Sequence, residues 1–148
     1  MAVFTKINDF AEDLLSGVHN FTSDTIQIAL SNTAPASETS NPISDGNGIL
    51  ANVTQISYTN YADDLTVDRV MEGVTVSGSS GQASVDFNDF IVTPSGGSLA
   101  DFRYVYVFNQ TATNDPLIAV FDVGSTVSLA SGESWPVTVS VSEHLTLS

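Results

Sequence analysis

Residues 101–124, DFRYVYVFNQTATNDPLIAVFDVG, contain the densest apolar run of the chain and its clearest turn. In two segments, 102–109 and 117–123, both alternating sets of residues are mostly apolar, and the polar sequence QTATND separates the segments. A period of two on both sides of a polar connection predicts two antiparallel strands that form a hairpin. Because both faces of this hairpin are largely apolar, we expect other strands or an N-terminal helix to cover it.

Shorter segments with strand character lie on both sides of the hairpin. They cover residues 24–31, 70–77, 82–92, 126–129 and 135–142, with a last edge at 144–147. Residues 49–57 fit neither the strand nor the helix period, so a strand and a short helix both stay open. Short strands separated by Gly and Ser turns predict a mainly β fold, a β-sandwich or a jelly-roll-like barrel, in a single domain that spans residues 1–148.

Residues 5–16 are predicted to form the one helix, which is amphipathic. Its apolar residues recur at helical spacing, Thr5 is a suitable N-cap, and Gly17 is a natural residue just after the C-terminus. We expect the apolar stripe to pack on the sheet, and docking of the stripe on a partner protein is the alternative.

Residues 32–48, NTAPASETSNPISDGNG, are predicted to form a long loop or an arm. The segment is rich in Ser, Thr, Asn, Pro and Gly, and Ile43 is its single large aliphatic residue. Loops of this length in compact domains are commonly either functional or disordered. The segment is therefore either a contact element or a mobile surface loop.

The charge of the chain is strongly one-sided. Asp and Glu number 17 and Lys and Arg number 3, for a formal net charge of −14. Such a surface repels phosphate backbones and anionic lipids, so we expect neither nucleic acid nor membrane as a partner. It serves solubility, or docking on a basic partner. The absence of cysteine and of an export signal predicts a soluble protein that is made in a cytoplasm.

The sequence contains no recognisable catalytic motif. There is no G-x-S-x-G elbow and no phosphate-binding glycine loop. His19 and His144 lie near opposite ends of the chain, and we interpret both as ordinary surface or helix-end histidines. We predict that the protein is not an enzyme and that it uses no cofactor and no small-molecule ligand, and we assign no residue as a metal ligand.

Oxygen ligands for calcium occur at 86–89 and at 45–47, but neither group matches the EF-hand pattern, and whether calcium binds stays open.

Arg103 lies within an apolar strand, where a charge is costly unless it is paired. We predict a structural ion pair between Arg103 and Asp122 of the neighbouring strand.

Taken together, the order of these features resembles a family of small virion structural proteins of tailed bacteriophages. The sequence segments on which the resemblance rests are FAEDLLSGVHNF (10–21), SDTIQIALSNTAP (23–35), GGSLADFRYVYVFN (96–109), NDPLIAVFDVG (114–124) and LASGESWPVTV (129–139). The resemblance implies a capsid decoration (cement) protein on the virion surface, with the major capsid protein and copies of itself, as a dimer or trimer, as partners. A tail or fibre component with carbohydrate-binding capacity is the alternative.

Candidate partner contacts come from the N-terminal segment, the 32–48 loop, the tyrosines after it and the tip of the central hairpin. They are Val3, Phe4, Ala34, Pro35, Pro42, Ile43, Tyr58, Tyr61, Thr111 and Asn114. The tyrosines also distinguish the two functions. If Tyr58, Tyr61 and Trp135 share an exposed concave face, sugar binding is favoured, and if they are buried, decoration is favoured.

Overall fold

The computed structural model describes residues 3–61, 69–88 and 90–137. Within them the chain is mainly β, with one short α-helix and two single-turn 3-10 helices at Pro35–Ser37 and Leu50–Asn52. The strands and helix are β1 (Val3–Lys6), α1 (Phe10–Leu15), β2 (Ile26–Ser31), β3 (Thr75–Ser79), β4 (Gln82–Asp86), β5 (Phe90–Val92), β6 (Phe102–Asn109), β7 (Leu117–Val127) and β8 (Trp135–Val137).

The main sheet has four antiparallel strands in the order β1-β7-β6-β2. Two separate ribbons, β3–β4 and β5–β8, complete the strand pairings. The described ranges form no closed barrel, because β1 and β2 are the two edges of an open sheet. The predicted mainly β class with an N-terminal helix is therefore confirmed.

The central hairpin predicted from residues 101–124 is confirmed as β6 and β7. On β6 only Arg103 is even partly exposed, and both alternating sets of side chains are buried. Tyr106 lies beside Val120 on one face of the sheet, whereas Val105 lies beside Phe121 on the other. Both faces are buried because both sets of side chains are largely apolar, and removing apolar surface from water stabilises the fold.

The predicted bounds of the helix, 5–16, are wrong at the N-terminal end. Val3–Lys6 pairs with β7 as a strand, and α1 begins only at Phe10, with Asp9 at the N-cap position. Thr5 therefore lies in a strand and caps nothing. The tertiary contacts override local helix propensity: the Phe4 ring packs 5.3 Å from that of Phe121, and β7 supplies backbone partners to the segment.

Several predicted strand boundaries also change. Residues 82–92 form two strands, β4 and β5, and the segments predicted at 117–123 and 126–129 are one bulged strand, β7. The strand predicted at 70–77 begins at Thr75, and 49–57 contains the 3-10 turn Leu50–Asn52 and isolated β-bridges at Ile49 and Gln55. The predicted edge at 144–147 and the end of the 135–142 strand lie outside the described residues.

The 32–48 loop folds back on the body of the protein and is not a free arm. Glu38 accepts hydrogen bonds from the Thr54 backbone N–H (2.8 Å) and hydroxyl (2.7 Å). The N–H of Asn8 donates to the carbonyl of Ile43 (3.1 Å), and Pro42 is buried. Polar contacts at several points along the segment thus give it a defined path that its composition alone does not predict.

Candidate functional site

A groove with a volume of about 340 Å³ opens beside strand β1. Strands β1, β7 and β6 contribute side chains of one face of the sheet to it, and the 32–48 loop contributes the others. We call it the β1 groove, and the residues that line it are Val3, Thr5, Ala34, Pro35, Ala36, Asn41, Ile43, Tyr104, Val120 and Asp122.

The register of the sheet explains why strand residues far apart in sequence meet in the groove. Val3 pairs with Asp122 and Thr5 with Val120, while Asp122 also pairs with Tyr104 of β6. Paired residues project from the same face of a sheet, and alternate residues share that face. The alternation of β1, β7 and β6 therefore directs these five side chains to one side.

A 3-10 turn and one local hydrogen bond shape the part of the 32–48 loop that lines the groove. Pro35 is the first residue of the 3-10 turn Pro35–Ser37, which brings Ala34 and Ala36 to the groove. On the return path, the Asn41 side-chain oxygen accepts a hydrogen bond from the N–H of Ile43 (3.0 Å), in a local turn. The loop thus lines the groove mainly with small and aliphatic side chains.

The one charged residue of the groove is neutralised by an ion pair. Arg103 Nε and Nη2 donate to the two carboxylate oxygens of Asp122 at 2.7 and 2.9 Å, which confirms the predicted pair. Hydrogen bonds from Arg103 lower the pKa of Asp122, and the N–H of Gly124 also donates to this carboxylate (2.8 Å). The groove is therefore an apolar surface with a paired charge at one end.

The structure brings four of the predicted contact residues together in the β1 groove: Val3, Ala34, Pro35 and Ile43. Val3 is 62% exposed and is open to a partner. Phe4 lies on the opposite face of β1 and packs against Phe121.

The predicted aromatic contacts do not form an exposed platform. Tyr61 is buried, at 7% exposed, and its ring packs edge-on against that of Tyr58, 5.8 Å away. The guanidinium of Arg69 lies 4.4 Å above the Tyr58 ring. Trp135 packs instead on the buried Phe102 at 5.4 Å. Tyr61 is thus buried, Tyr58 and Trp135 are half-buried against other side chains, and the three share no exposed platform on which a sugar ring could stack.

Thr111 and Asn114 lie at the exposed tip between β6 and β7 and away from the groove. The tip follows Asn109, which is five residues along β6 from Tyr104, or roughly 17 Å at the rise of a strand. The hydroxyl of Thr111 accepts a hydrogen bond from the N–H of Thr25 (2.9 Å), so the tip is attached to the start of β2. These two residues would form a separate contact area.

Six lining residues were not predicted as contacts: Thr5, Ala36, Asn41, Tyr104, Val120 and Asp122. The predicted helix includes Thr5. Tyr104 and Val120 are core residues, as the central hairpin predicts, at 8% and 3% exposed, and they also line the groove. The alternation of the central hairpin contains a usable signal, since it puts Val120 and Asp122 on one face. The strand position of β1 and the path of the loop then bring the remaining lining residues to that face.

His19 is buried, which corrects its interpretation as an ordinary surface or helix-end residue. Its ring packs against those of Phe10 (5.3 Å) and Phe21 (5.9 Å), and the side-chain nitrogen of Asn109 lies 3.2 Å from its Nδ1. Burial lowers the pKa of His19 to about 4, against the opposing effect of Asp24. The imidazole is neutral near pH 7 and belongs to the core.

A second depression, of about 630 Å³, lies at the other edge of the sheet. It includes Gln27, Arg69, Phe108 and Asp115 among its lining residues. No group of three or more His, Asp or Glu that could hold a metal ion occurs in the part of the chain that the structure describes. Asp89, one of the calcium candidates, lies outside that part.

Comparisons with known proteins give no relative of this chain: no family model, no curated protein and no solved structure matches it. None of the helices in the described ranges has the length and apolar character needed to cross a membrane.

Proposed function

We propose that this chain is a structural protein of a phage particle, and specifically a capsid decoration protein that binds the major capsid protein through the β1 groove. The proposal rests on the resemblance of the sequence to virion structural proteins and on one geometric observation. Val3, Ala34, Pro35 and Ile43, which come from two segments about 30 residues apart, line a single groove.

The position of the groove next to an edge strand favours an extended peptide segment as the ligand. Val3 and Thr5 of β1, an edge strand of the sheet, line it. Edge strands commonly bind extended peptides by adding a strand, with side-chain pockets next to the edge. An extended apolar segment of a shell protein would place alternate side chains on Val3 and Ile43, which are partly exposed.

Charge supports a basic partner. The chain carries 17 acidic and 3 basic residues, and the groove itself contains one carboxylate that is already paired. A shell segment that is apolar where it fills the groove and carries Lys or Arg on both sides would complement this surface. Many copies on one shell would add their contacts, so each could be individually weak.

We also propose that the finer architecture is a single-domain β-sandwich in which the β5–β8 ribbon belongs to a second layer. The contact between Trp135 of the β5–β8 ribbon and Phe102 of the main sheet supports this arrangement. Support also comes from the core, where one cluster of buried residues includes Val92 of β5 together with residues of the main sheet.

The experiment is reconstitution on particles that lack this protein. Binding of the purified chain to such particles is measured by co-sedimentation, and its position by electron microscopy. Val3→Asp puts an unpaired charge into the apolar groove and should weaken binding at least about tenfold.

Leu15→Asp is the matched control, because Leu15 is 84% exposed, lies on α1 and does not line the groove. It should bind like the unmodified chain. Equal binding by both variants would reject the groove as the contact surface. Density along the tail and none on the shell would reject decoration in favour of a tail or fibre component.

A further inference from the structure

The end of the 32–48 loop contains two chemically labile steps, Asp45-Gly46 and Asn47-Gly48, which are the only Asp-Gly and Asn-Gly pairs of the sequence. The backbone nitrogen that follows an Asp or Asn can attack the side-chain carbonyl carbon and close a five-membered succinimide ring. A following glycine makes this attack easiest, because it has no Cβ atom to keep the nitrogen away. In an unrestrained chain, both steps would therefore be sites of slow, spontaneous modification.

The reaction at Asn47 needs no reagent except water. The Gly48 nitrogen loses its proton and bonds to Cγ of Asn47, the Cγ–Nδ2 bond breaks, and Nδ2 takes up a proton and leaves as ammonia. Water then opens the ring at either carbonyl, which gives aspartate or isoaspartate. At Asp45, attack by the Gly46 nitrogen expels water, and ring opening converts part of the aspartate to isoaspartate. Burial does not shield the segment, because Asp45 and Gly46 are exposed and Asn47 is only half-buried.

The path of the loop requires glycine at both positions. Gly46 has a φ of 76°, which a residue with a side chain rarely adopts. At Gly48, a Cβ atom would lie 2.8 Å from both Asp9 Oδ2 and a methyl carbon of Ile7. A larger residue at either glycine would therefore strain or displace the loop, so the labile steps accompany this conformation.

One carboxylate binds both of the nitrogens that would attack. The N–H of Gly46 donates to Asp9 Oδ1 (2.8 Å), and the N–H of Gly48 donates to Oδ2 (2.9 Å). Such charge-assisted hydrogen bonds stabilise the protonated amide, and the negative charge of Asp9 opposes formation of an amide anion beside it. The proton that must leave is the one that forms the hydrogen bond, so ring closure requires that bond to break.

Contacts on the other side of the Asn47–Gly48 step restrict it further. The carbonyl of Gly48 accepts a hydrogen bond from the N–H of Leu117 (2.8 Å), and the carbonyl of Asn47 accepts one from the side chain of Asn52 (3.0 Å). These bonds oppose the rotation that would bring the Gly48 nitrogen to Cγ of Asn47. Isoaspartate would also add one main-chain carbon before Gly48, which could then not keep both Asp9 and Leu117 as partners.

We propose that Asp9 protects the loop from chemical ageing by holding the Gly46 and Gly48 nitrogens, and that Asn47 is the residue that deamidates when this carboxylate is removed. Asn47 reacts before Asp45, because a side-chain amide is uncharged whereas a carboxylate anion resists attack by a nucleophile. The proposal concerns the covalent stability of the loop and does not depend on the proposed function.

The test follows modification of the purified full chain during long incubation in mildly alkaline buffer. Peptide mapping with mass spectrometry measures aspartate and isoaspartate at position 47. Asp9→Ala should raise the rate of deamidation of Asn47 at least about tenfold. Asp9→Asn should raise it by a smaller factor, because the amide keeps one acceptor oxygen but loses the charge. Asn47→Gln in the Asp9→Ala chain should abolish the increase, since glutamine would have to close a larger ring.

Tyr58→Phe is the matched control for a general loss of stability. It removes the acceptor of the Leu30 N–H, a hydrogen bond elsewhere in the protein, and should leave the rate at Asn47 unchanged. In urea, wild type and Asp9→Ala should deamidate equally fast, and both faster than folded wild type, since Asp9 protects only in the folded state. Equal rates in folded wild type, Asp9→Ala and Asp9→Asn, or an equal increase in Tyr58→Phe, would overturn the proposal.

Discussion

Asp9 holds the backbone at Gly48 by a contact that allows no larger residue there. Asp9 Oδ2 accepts a hydrogen bond from the N–H of Gly48 (2.9 Å), and Oδ1 accepts one from the N–H of Gly46 (2.8 Å). A Cβ atom at Gly48 would lie 2.8 Å from Asp9 Oδ2 and 2.8 Å from a methyl carbon of Ile7. The carboxylate at the start of α1 thus fixes the end of the loop that walls the β1 groove.

We predict that Asp9→Ala lowers the free energy of unfolding by about 1–3 kcal/mol, because two backbone N–H groups lose a charged acceptor. The measurement is urea denaturation near pH 7. Glu12→Ala removes the same charge from an exposed position on α1 and should stay within about 0.5 kcal/mol of wild type. Equal losses in the two variants would mean that net charge, and not the loop contact, accounts for the effect.

His19 should make the stability of the protein depend on pH between about 4 and 6.5. Its pKa is 6.5 in the unfolded chain and about 4 in the folded one, so within this range only the unfolded state is protonated. The stability that the neutral ring contributes is therefore complete above pH 6.5, and the free energy of unfolding falls by about 3 kcal/mol as the pH is lowered to 4. Asp13, 4.0 Å from Nε2, and Asp24 are the acidic groups that face the ring.

The test compares wild type with His19→Phe, which keeps a ring packed against Phe10 and Phe21 but cannot be protonated. The difference in unfolding free energy between the two proteins, measured by denaturation at several pH values, should shift in favour of the variant below pH 6.5. The many carboxylates titrate in both proteins and cancel in this difference. A difference that is independent of pH would contradict the buried, neutral state of His19.

Two tyrosine hydroxyls should respond to removal in opposite directions. The Tyr58 hydroxyl accepts a hydrogen bond from the N–H of Leu30 (2.8 Å) and donates to Gln55 (2.9 Å). Tyr58→Phe should cost about 1–3 kcal/mol, because it leaves the Leu30 N–H unsatisfied at the edge of the sheet.

The Tyr106 hydroxyl is buried and has no hydrogen-bond partner among the described residues. Burial also raises the pKa of Tyr106, so the hydroxyl stays protonated. Tyr106→Phe should therefore be neutral or stabilise the protein by up to about 1 kcal/mol. Thermal and urea unfolding of the two variants side by side measure this contrast, and a large loss for Tyr106→Phe would reveal a partner for its hydroxyl.

The parts of the fold that were predictable are those in which local chemistry and tertiary environment agree. The alternation of β6 and β7 predicts both strands and their pairing, and the cost of an unpaired charge among apolar neighbours predicts the Arg103–Asp122 ion pair. The turn at Gly81 follows from the freedom of glycine to adopt a positive φ. In each of these cases the chemistry of a few neighbouring residues was enough to predict the local structure.

The errors occur where distant contacts decide between local alternatives. Val3–Lys6 fits a helical stripe, but β7 offers it hydrogen bonds and Phe4 a packing partner, so it becomes a strand. His19 follows a helix whose composition suggests exposure, yet its ring packs against those of Phe10 and Phe21 and lies beside Asn109 of β6. No pattern within one window of sequence contains β7 or Asn109.

The same distinction applies to the candidate site. The sequence by itself determined the mainly β class, the central hairpin and the acidic, cysteine-free character of the chain, because composition and alternation act through nearest neighbours. Only the tertiary structure decided that Val3, Pro35 and Ile43 share one groove and that the Asp9 carboxylate binds the N–H groups of Gly46 and Gly48. Those relationships arise from strand register and from the anchored path of a long loop, which contacts between residues distant in the chain determine.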